Sequence, residues 1–433
     1  MITINMIKRR MTVIFACTVF AGRVWSAEPE FSLRDGDRVA FLGDSITEQR
    51  LYTTFIEAYT LTRFPKANFA FWNAGWGGDT AWLRMRSFPD EKILHAAAAD
   101  AQQKMIEESV DGPLQRDILT FKPTVVFVNF GMNDHNYETF REDIFKTYVR
   151  SQTHLVKSLA RNQARTMLLT PQPIESKGLN PSVDVRNIAL RKFADGLKEV
   201  ATGEGATFVD QFDPYMAIVK REHALDEAAS VGGGDEVHPG PAGHTLMAAI
   251  ILKKLNAPAL VSRLELQVSN GGTGKVVGSE KCVAGNFKID GGTISFDRTD
   301  DSLPMPVDPR ALNALKLAPV LTDLNRYELK VTGLKEDRYE ISIDDALVAT
   351  VGREELAQGW NLSSAAGSIS KQAQDVLALI FQKNETGKTL WEARIHNRKE
   401  QATLPQVLAD LEAKIDATRQ PKPHKFALKP IVK

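Results

Sequence analysis

The sequence predicts an open parallel α/β sheet with helices on both faces, followed by a smaller β-rich region. Three observations predict it. Between Asp37 and about Leu255, short apolar runs alternate with long stretches of helical periodicity. The runs are continuous rather than alternating in polarity, as strands covered on both faces require. After Ser262 the texture changes to short β-type runs rich in glycine.

Taken in order, strands are expected at 38–43 (RVAFLG), 67–74 (ANFAFWNA), 124–130 (TVVFVNF), 165–170 (RTMLLT) and 206–210 (ATFVD). Helical periodicity runs near 50–63, 91–119, 139–161, 183–202 and 241–255. Pro123 and Pro241 punctuate these stretches, and Gly203-Glu204-Gly205 ends the fourth. Residues 263–300 hold the runs RLELQVS, GKVVG and NFKIDGGTISF, and 326–351 reads as a hairpin, YELKVTG followed by RYEISID and ALVATVG. Residues 371–417 return to helical periodicity. The end, Pro421 to Lys433, is basic and contains proline, and is expected to be a mobile tail. This divides the chain into an α/β domain at 27–260, a β-rich accessory region at 261–370, and a helical segment with its tail at 371–433.

The first residues are expected to lie outside the fold. Lys8, Arg9 and Arg10 precede an eleven-residue apolar run, Met11 to Ala21, too short to span a bilayer. Val24-Trp25-Ser26 then offers small residues at the positions a signal peptidase reads. Residues 1–26 therefore read as a signal peptide, with export to the periplasm or outside the cell; retention as an anchor is the alternative.

Composition narrows the partners. The 433 residues carry 54 Lys+Arg and 54 Asp+Glu, so no basic excess points to nucleic acid. Removing 1–26 takes away Lys8, Arg9, Arg10 and Arg23 and no acid, leaving a mildly acidic protein with no expected membrane span. Of the two cysteines, Cys17 lies in the leader, and Cys282 alone cannot form an intrachain disulfide. Oligomeric state is not legible.

In open α/β sheets the site lies beyond the carboxyl ends of the strands. Ser45, Asn73, Asn133 and Gln172 all fall at or just past such ends. Gly43-Asp44-Ser45 directly follows Val39-Ala40-Phe41-Leu42, and Asp235-Glu236-Val237-His238 supplies an acid and a base three positions apart. A serine needs a base to become a nucleophile, and the base needs an orienting carboxylate. Ser45 with Glu48 would also satisfy a helix capping box. His238 lies on a loop between Gly232-Gly233-Gly234 and Pro239, where Asp235 can turn back to its imidazole. Glu236 competes for that role.

Four segments resemble the conserved blocks of the SGNH (GDSL-type) hydrolase family of esterases and lipases: Gly43-Asp44-Ser45-Ile46-Thr47, Asn73 to Thr80 (NAGWGGDT), Gly131-Met132-Asn133-Asp134, and Asp235 to Pro239 (DEVHP). The resemblance covers roughly 37–255. It implies a flavodoxin-like three-layer α/β/α fold, Ser45 as nucleophile, His238 as base and Asp235 as its partner. It also implies an oxyanion hole from the Ser45 N–H, the Gly78 N–H and the Asn133 amide. Gly75 or Gly77 would replace Gly78 if the loop register differs by a step. Asp44, Asp79 and Asp134 are expected to brace these loops.

The expected function is an exported serine esterase that deacetylates a carbohydrate through an acyl-enzyme. A lipase or thioesterase is the rival within the class, and a non-catalytic carbohydrate-binding protein the rival outside it. Trp76 and Trp82 flank Gly78 and either stack on a sugar or pack inside; His135 and Gln172 are further candidates for the pocket, and Arg84 and Arg86 for an acidic sugar. The eight histidines are scattered and no His-Glu-x-x-His pattern occurs, so neither metal nor organic cofactor is expected.

Overall fold

The computed structural model of the protein describes residues 30–176, 180–269, 273–396 and 403–432. The leader at 1–26 lies outside the described residues. Five strands form the first sheet: β1 (Arg38–Gly43), β2 (Ala70–Asn73), β3 (Val125–Asn129), β4 (Arg165–Leu169) and β5 (Thr207–Val209). All pair in parallel, in the order β2-β1-β3-β4-β5. This is the flavodoxin-like order, whose chain direction reverses between β1 and β3.

β1 shows why the strand sequences read as continuous apolar runs. Val39 and Phe41 enter one core together with the helices Leu51–Arg63 and Pro241–Lys254. Ala40 and Leu42 enter a second core, with the helices Ala99–Asp117 and Glu142–Arg161. Successive side chains of a strand point to opposite faces, so both sets must be apolar. The helix Phe212–Leu225 is absent from the sequence reading; it buries Phe212, Tyr215 and Val219 against the first core. The stretch at 91–119 breaks into Glu91–Ala96 and Ala99–Asp117, because Ala97 adopts an extended backbone.

Among the described residues nine further strands follow: β6 (Leu260–Val268), β7 (Gly274–Glu280), β8 (Cys282–Asp290), β9 (Thr293–Asp300), β10 (Arg326–Thr332), β11 (Arg338–Ile343), β12 (Ala346–Gly352), β13 (Trp360–Asn361) and β14 (His424–Pro430). They form two sheets, β13-β10-β6-β7 and β12-β11-β14-β9-β8. Two expectations are corrected here. YELKVTG does not pair with RYEISID: β10 lies parallel to β6, and the hairpin is β11 with β12. Nor is the end of the chain a free tail, because β14 lies between β11 and β9, both antiparallel to it. His424, Phe426 and Leu428 alternate inward and are buried, the period-two pattern of a strand with one covered face.

A buried cation joins the two sheets. Arg298 donates to Asp300 at 2.9 Å and to Ser262 Oγ at 2.8 Å, while Tyr327 donates to Asp300 at 2.6 Å. Pairing of this kind is what makes a fully enclosed guanidinium tolerable.

The helix Ser368–Ile395 returns the chain to the first sheet's edge. Lys383 forms a buried ion pair with Glu57, Phe381 meets Phe55 edge-on at 6.3 Å, and Trp391 packs against Trp72 and Trp76. By its contacts Phe31–Lys433 is one compact unit. Among the described residues no helix is long and apolar enough to cross a membrane.

Candidate active site

β1 ends at Gly43 and the chain turns at once into the short helix Ser45–Glu48. The turn requires glycine: a Cβ at position 43 would lie 2.2 Å from Thr47 Oγ1 and 2.8 Å from the Asn129 carbonyl. Asp44, not Ser45, caps the helix, accepting from the Ile46 N–H at 2.9 Å. The capping alternative for Ser45 is thereby removed, and its hydroxyl lies instead 2.9 Å from His238 Nε2.

His238 sits 193 residues away on the loop before the helix Pro241–Lys254. Its Nδ1 lies 3.0 Å from Asp235 Oδ2 and 3.2 Å from Oδ1. Asp235 also accepts the backbone N–H of Val237 at 2.8 Å and of His238 at 2.6 Å. Burial alone would raise its pKa, but these N–H donors and the imidazole outweigh it and hold the carboxyl below the usual carboxylate range. Glu236, the competing acid, turns away to Arg186 at 3.0 Å. A carboxylate partner on Nδ1 fixes the tautomer, so Nδ1 carries the proton and Nε2 faces Ser45 as an acceptor.

Two neighbouring residues hold the His238 loop in place. Gln172 donates to the Val237 carbonyl at 3.1 Å, and Glu175 accepts the Gly232 N–H at 2.7 Å.

The loop after β2 lies against the serine's helix. Asn73 donates to the Thr47 carbonyl at 2.8 Å, and a Cβ on Gly77 would meet the Glu48 carboxylate at 2.8 Å. Gly78 has φ +75°, the left-handed region, and Arg84 anchors its carbonyl at 2.7 Å. Asn133 donates one amide hydrogen to the Asp79 carbonyl at 3.0 Å, while its Oδ1 accepts from Tyr137 at 2.9 Å. Those two bonds settle which end of the amide is nitrogen and leave its second N–H for another acceptor. At the start of a helix the Ser45 N–H has no intrahelical partner.

Three buried acids brace this region. Asp134 accepts from the N–H groups of Ala81 and Gly131, both at 2.8 Å. Asp79 pairs with Arg86 at 2.7 Å, and Arg86 also reaches Asp117 at 2.8 Å. Burial pushes Asp44 up to about 8, with the carboxyls of Asp134 and Asp79 adding to the effect. Asp44 thus holds its proton to a higher pH than a free carboxyl would.

Ser45, Asp235 and His238 line an open depression of about 420 Å³ with Glu48, Gln49 and Lys388. Several expected pocket residues are not part of it. Trp82 is fully buried, its indole N–H donating to Glu91 at 2.9 Å. Trp76 packs edge-on against Trp391, with ring centroids 5.4 Å apart. His135 is buried, its Nδ1–H donating to the Gly131 carbonyl at 3.2 Å, and burial lowers its pKa to about 4. Gln172 is also buried and spends its amide on Val237. Arg86 is enclosed between two acids, and Arg84 is held by Gly78 and Glu91, so neither is offered to an acidic sugar. The sequence reading missed Lys388, which lies 3.6 Å from Glu48; nothing local marks a residue on a helix more than three hundred positions away. Among the described residues no three His, Cys, Asp or Glu side chains converge as a metal site would.

Residues 41–246 match the family model described as the GDSL-like lipase/acylhydrolase family. Among solved structures, BT4096, a gut microbial diltiazem-metabolizing enzyme, is similar in fold over nearly the whole chain. The TM-score is 0.76 at 24% identity, covering 94% of this chain and 99% of that one. Axe2, an acetylxylan esterase from Geobacillus stearothermophilus, is similar at 19% identity over 52% of this chain and 96% of its own, with a TM-score of 0.39. No curated protein matches the chain.

Proposed function

We propose a residue-level mechanism for a chain whose residues 41–246 belong to the GDSL-like lipase/acylhydrolase family, and which is therefore a carboxylic ester hydrolase. Ser45 is the nucleophile, His238 the general base and Asp235 the carboxylate that orients it. The observation that carries the proposal is the continuous chain Ser45 Oγ, His238 Nε2, His238 Nδ1, Asp235, with steps of 2.9 Å and 3.0 Å, assembled from two segments 193 residues apart.

In the forward step Ser45 Oγ attacks the ester carbonyl as its proton passes to His238 Nε2. The imidazolium is stabilised by Asp235. The oxyanion accepts from the Ser45 N–H, the Gly78 N–H and the second amide N–H of Asn133. Collapse breaks the ester C–O bond, and the alcohol leaves with the proton from His238. Water then attacks the acyl-serine, giving its proton to His238; the acid departs and Ser45 regains its hydrogen.

The proposed substrate is a small acyl ester, acetyl above all, on a carbohydrate alcohol. The depression supports this: it is open to solvent, and its six lining residues are all polar or charged. No large apolar side chain lines it to hold a long acyl chain, whereas sugar hydroxyls would find hydrogen-bond partners there. The test is acetate release from a panel of acetylated polysaccharides, with p-nitrophenyl esters of increasing chain length and Ser45→Ala as control. Turnover of the acetyl esters, falling at least about 10³-fold in Ser45→Ala, is expected. Unchanged turnover in that variant would sink the mechanism. A preference for long chains would move the assignment to a lipase, and for thioesters to a thioesterase.

Export is part of the same proposal and rests on the charged and apolar pattern of residues 8–21. Amino-terminal sequencing of the protein recovered outside the cytoplasm should begin near Ala27.

A further inference from the structure

A cavity of about 480 Å³ runs between the β2 edge of the first sheet and the helix Ser368–Ile395. Its walls include Arg38, Arg50, Trp72, Phe121, Gly387 and Trp391. Lys388 borders both this cavity and the depression at Ser45, yet no residue of the proposed catalytic set lines it.

Two guanidinium groups there lack an acid partner. Arg50 is only 2% exposed, and its side chain donates to the carbonyls of Glu48 at 2.7 Å and Asn73 at 3.4 Å. Arg38 donates to the Phe121 carbonyl at 2.9 Å and 2.7 Å and lies over the Phe121 ring, 4.2 Å from its centroid. Among the described residues no carboxylate is within ion-pair distance of either. Buried charges are ordinarily paired; Arg50 has no carboxylate at contact distance, and Glu385, Glu48 and Glu392 act on its charge only from farther away. Three further cations on these walls are already answered: Lys383 by Glu57, Lys388 by Glu48 and Glu392, and Arg116 by Asp117.

The backbone of Arg50 adds a second oddity. It has φ 59°, ψ 14°, a left-handed conformation uncommon for a side chain of this size, at the junction between the nucleophile's helix and Leu51–Arg63. The conformation places the guanidinium beneath the β2 end, against Asn73.

The apolar walls combine four aromatic rings, Phe71, Trp72, Phe121 and Trp391, with Leu390, Ile395 and Leu408. Trp72 and Trp391 meet at right angles with centroids 6.0 Å apart, and both indole N–H groups are spent on Asp117. Their nitrogens are thus satisfied by protein, and the rings are what the cavity offers. Gly387 faces this space from the middle of a 28-residue helix, where glycine weakens the helix. Packing does not demand it: a Cβ would sit 3.6 Å from Trp72, ordinary contact. A larger side chain, however, would project into the cavity.

We propose that this cavity is a second ligand site, taking a small ring compound that bears a carboxylate. The ring lies against the tryptophans and the carboxylate pairs with Arg50. Charge and shape agree: a planar carboxylate matches the guanidinium fork, and a flat sugar or aryl face matches indole. A sugar acid and an aromatic acid share that chemistry. The site is independent of the esterase assignment, because binding can be measured without turnover.

The experiment is calorimetric titration of full-length Ser45→Ala protein with glucuronate and with benzoate, and with their methyl esters as uncharged controls. Saturable binding of at least one acid is expected, about ten- to a hundredfold weaker for its ester and for the acid in Arg50→Met. Binding of glucuronate alone assigns a sugar acid, and of benzoate alone an aryl acid. Gly387→Leu, which fills the cavity without removing a charge, should abolish binding while leaving the protein folded by circular dichroism. No saturable binding of either acid, equal binding of acid and ester, or binding unchanged in Gly387→Leu overturns the proposal. Loss of esterase activity in Ser45→Ala leaves the result unaffected, so the two proposals fail separately.

Discussion

Tyr137 donates its hydroxyl proton to Asn133 Oδ1 across 2.9 Å, and so fixes the rotation of the amide proposed to hold the oxyanion. Asn136 and Tyr137 are both left-handed, with φ 54° and 57°, so the loop bends sharply to bring the phenol back over Asn133. Tyr137 is then a positioning residue. Tyr137→Phe should lower kcat about five- to tenfold with little change in KM, the scale of one lost hydrogen bond. Asn133→Ala should lose about 10²-fold or more in kcat. Steady-state kinetics on p-nitrophenyl acetate separates the two, and equal losses would argue against the positioning role.

Asp235 and Glu236 make a second paired test. Only Asp235 reaches the imidazole; Glu236 reaches Arg186. Asp235→Asn should lower kcat about 10³-fold or more, because the wrong tautomer of His238 is then favoured. Glu236→Gln should stay within about threefold of wild type, as expected for an exposed pair. The reverse ranking would reassign the acid.

Asp44 makes stability depend on pH. Its carboxyl is raised from 3.8 to about 8 in the folded protein, chiefly by burial. A group raised in this way stabilises the fold fully below its unfolded pKa, and that contribution is lost as pH rises to about 8. Asp44→Asn keeps an oxygen to cap the helix but cannot ionise. Urea midpoints measured from about pH 4 to about pH 8 should therefore fall less in the variant than in wild type. Parallel curves would show that Asp44 ionises freely in the fold.

β14 is the element whose loss should be felt most widely. Phe426 is buried and stacks on Phe296 with centroids 5.1 Å apart. Phe426→Ala should destabilise by about 3–5 kcal/mol in urea denaturation, the range for deleting a core ring. A change below about 1 kcal/mol would mean that the strand is dispensable.

By itself the sequence determined the first sheet, because its strands are covered on both faces and so must be apolar throughout. Ser45, Asp235 and His238 were legible for a related reason: they lie at strand and helix ends, where residue type is set by local chemistry. Tertiary structure alone decided the rest. It gave the helix cap to Asp44 and freed Ser45 for His238, and it separated Asp235 from Glu236, adjacent residues whose directions no one-dimensional pattern records. It buried Trp82, His135 and Gln172, which sequence proximity to the site had made look available. It also turned the end of the chain into a central strand and carried Lys388 to the rim of the depression. The placing of Lys388 depends on contacts between segments hundreds of residues apart, such as Lys383 with Glu57, and local periodicity carries no information about which distant surface a helix will meet.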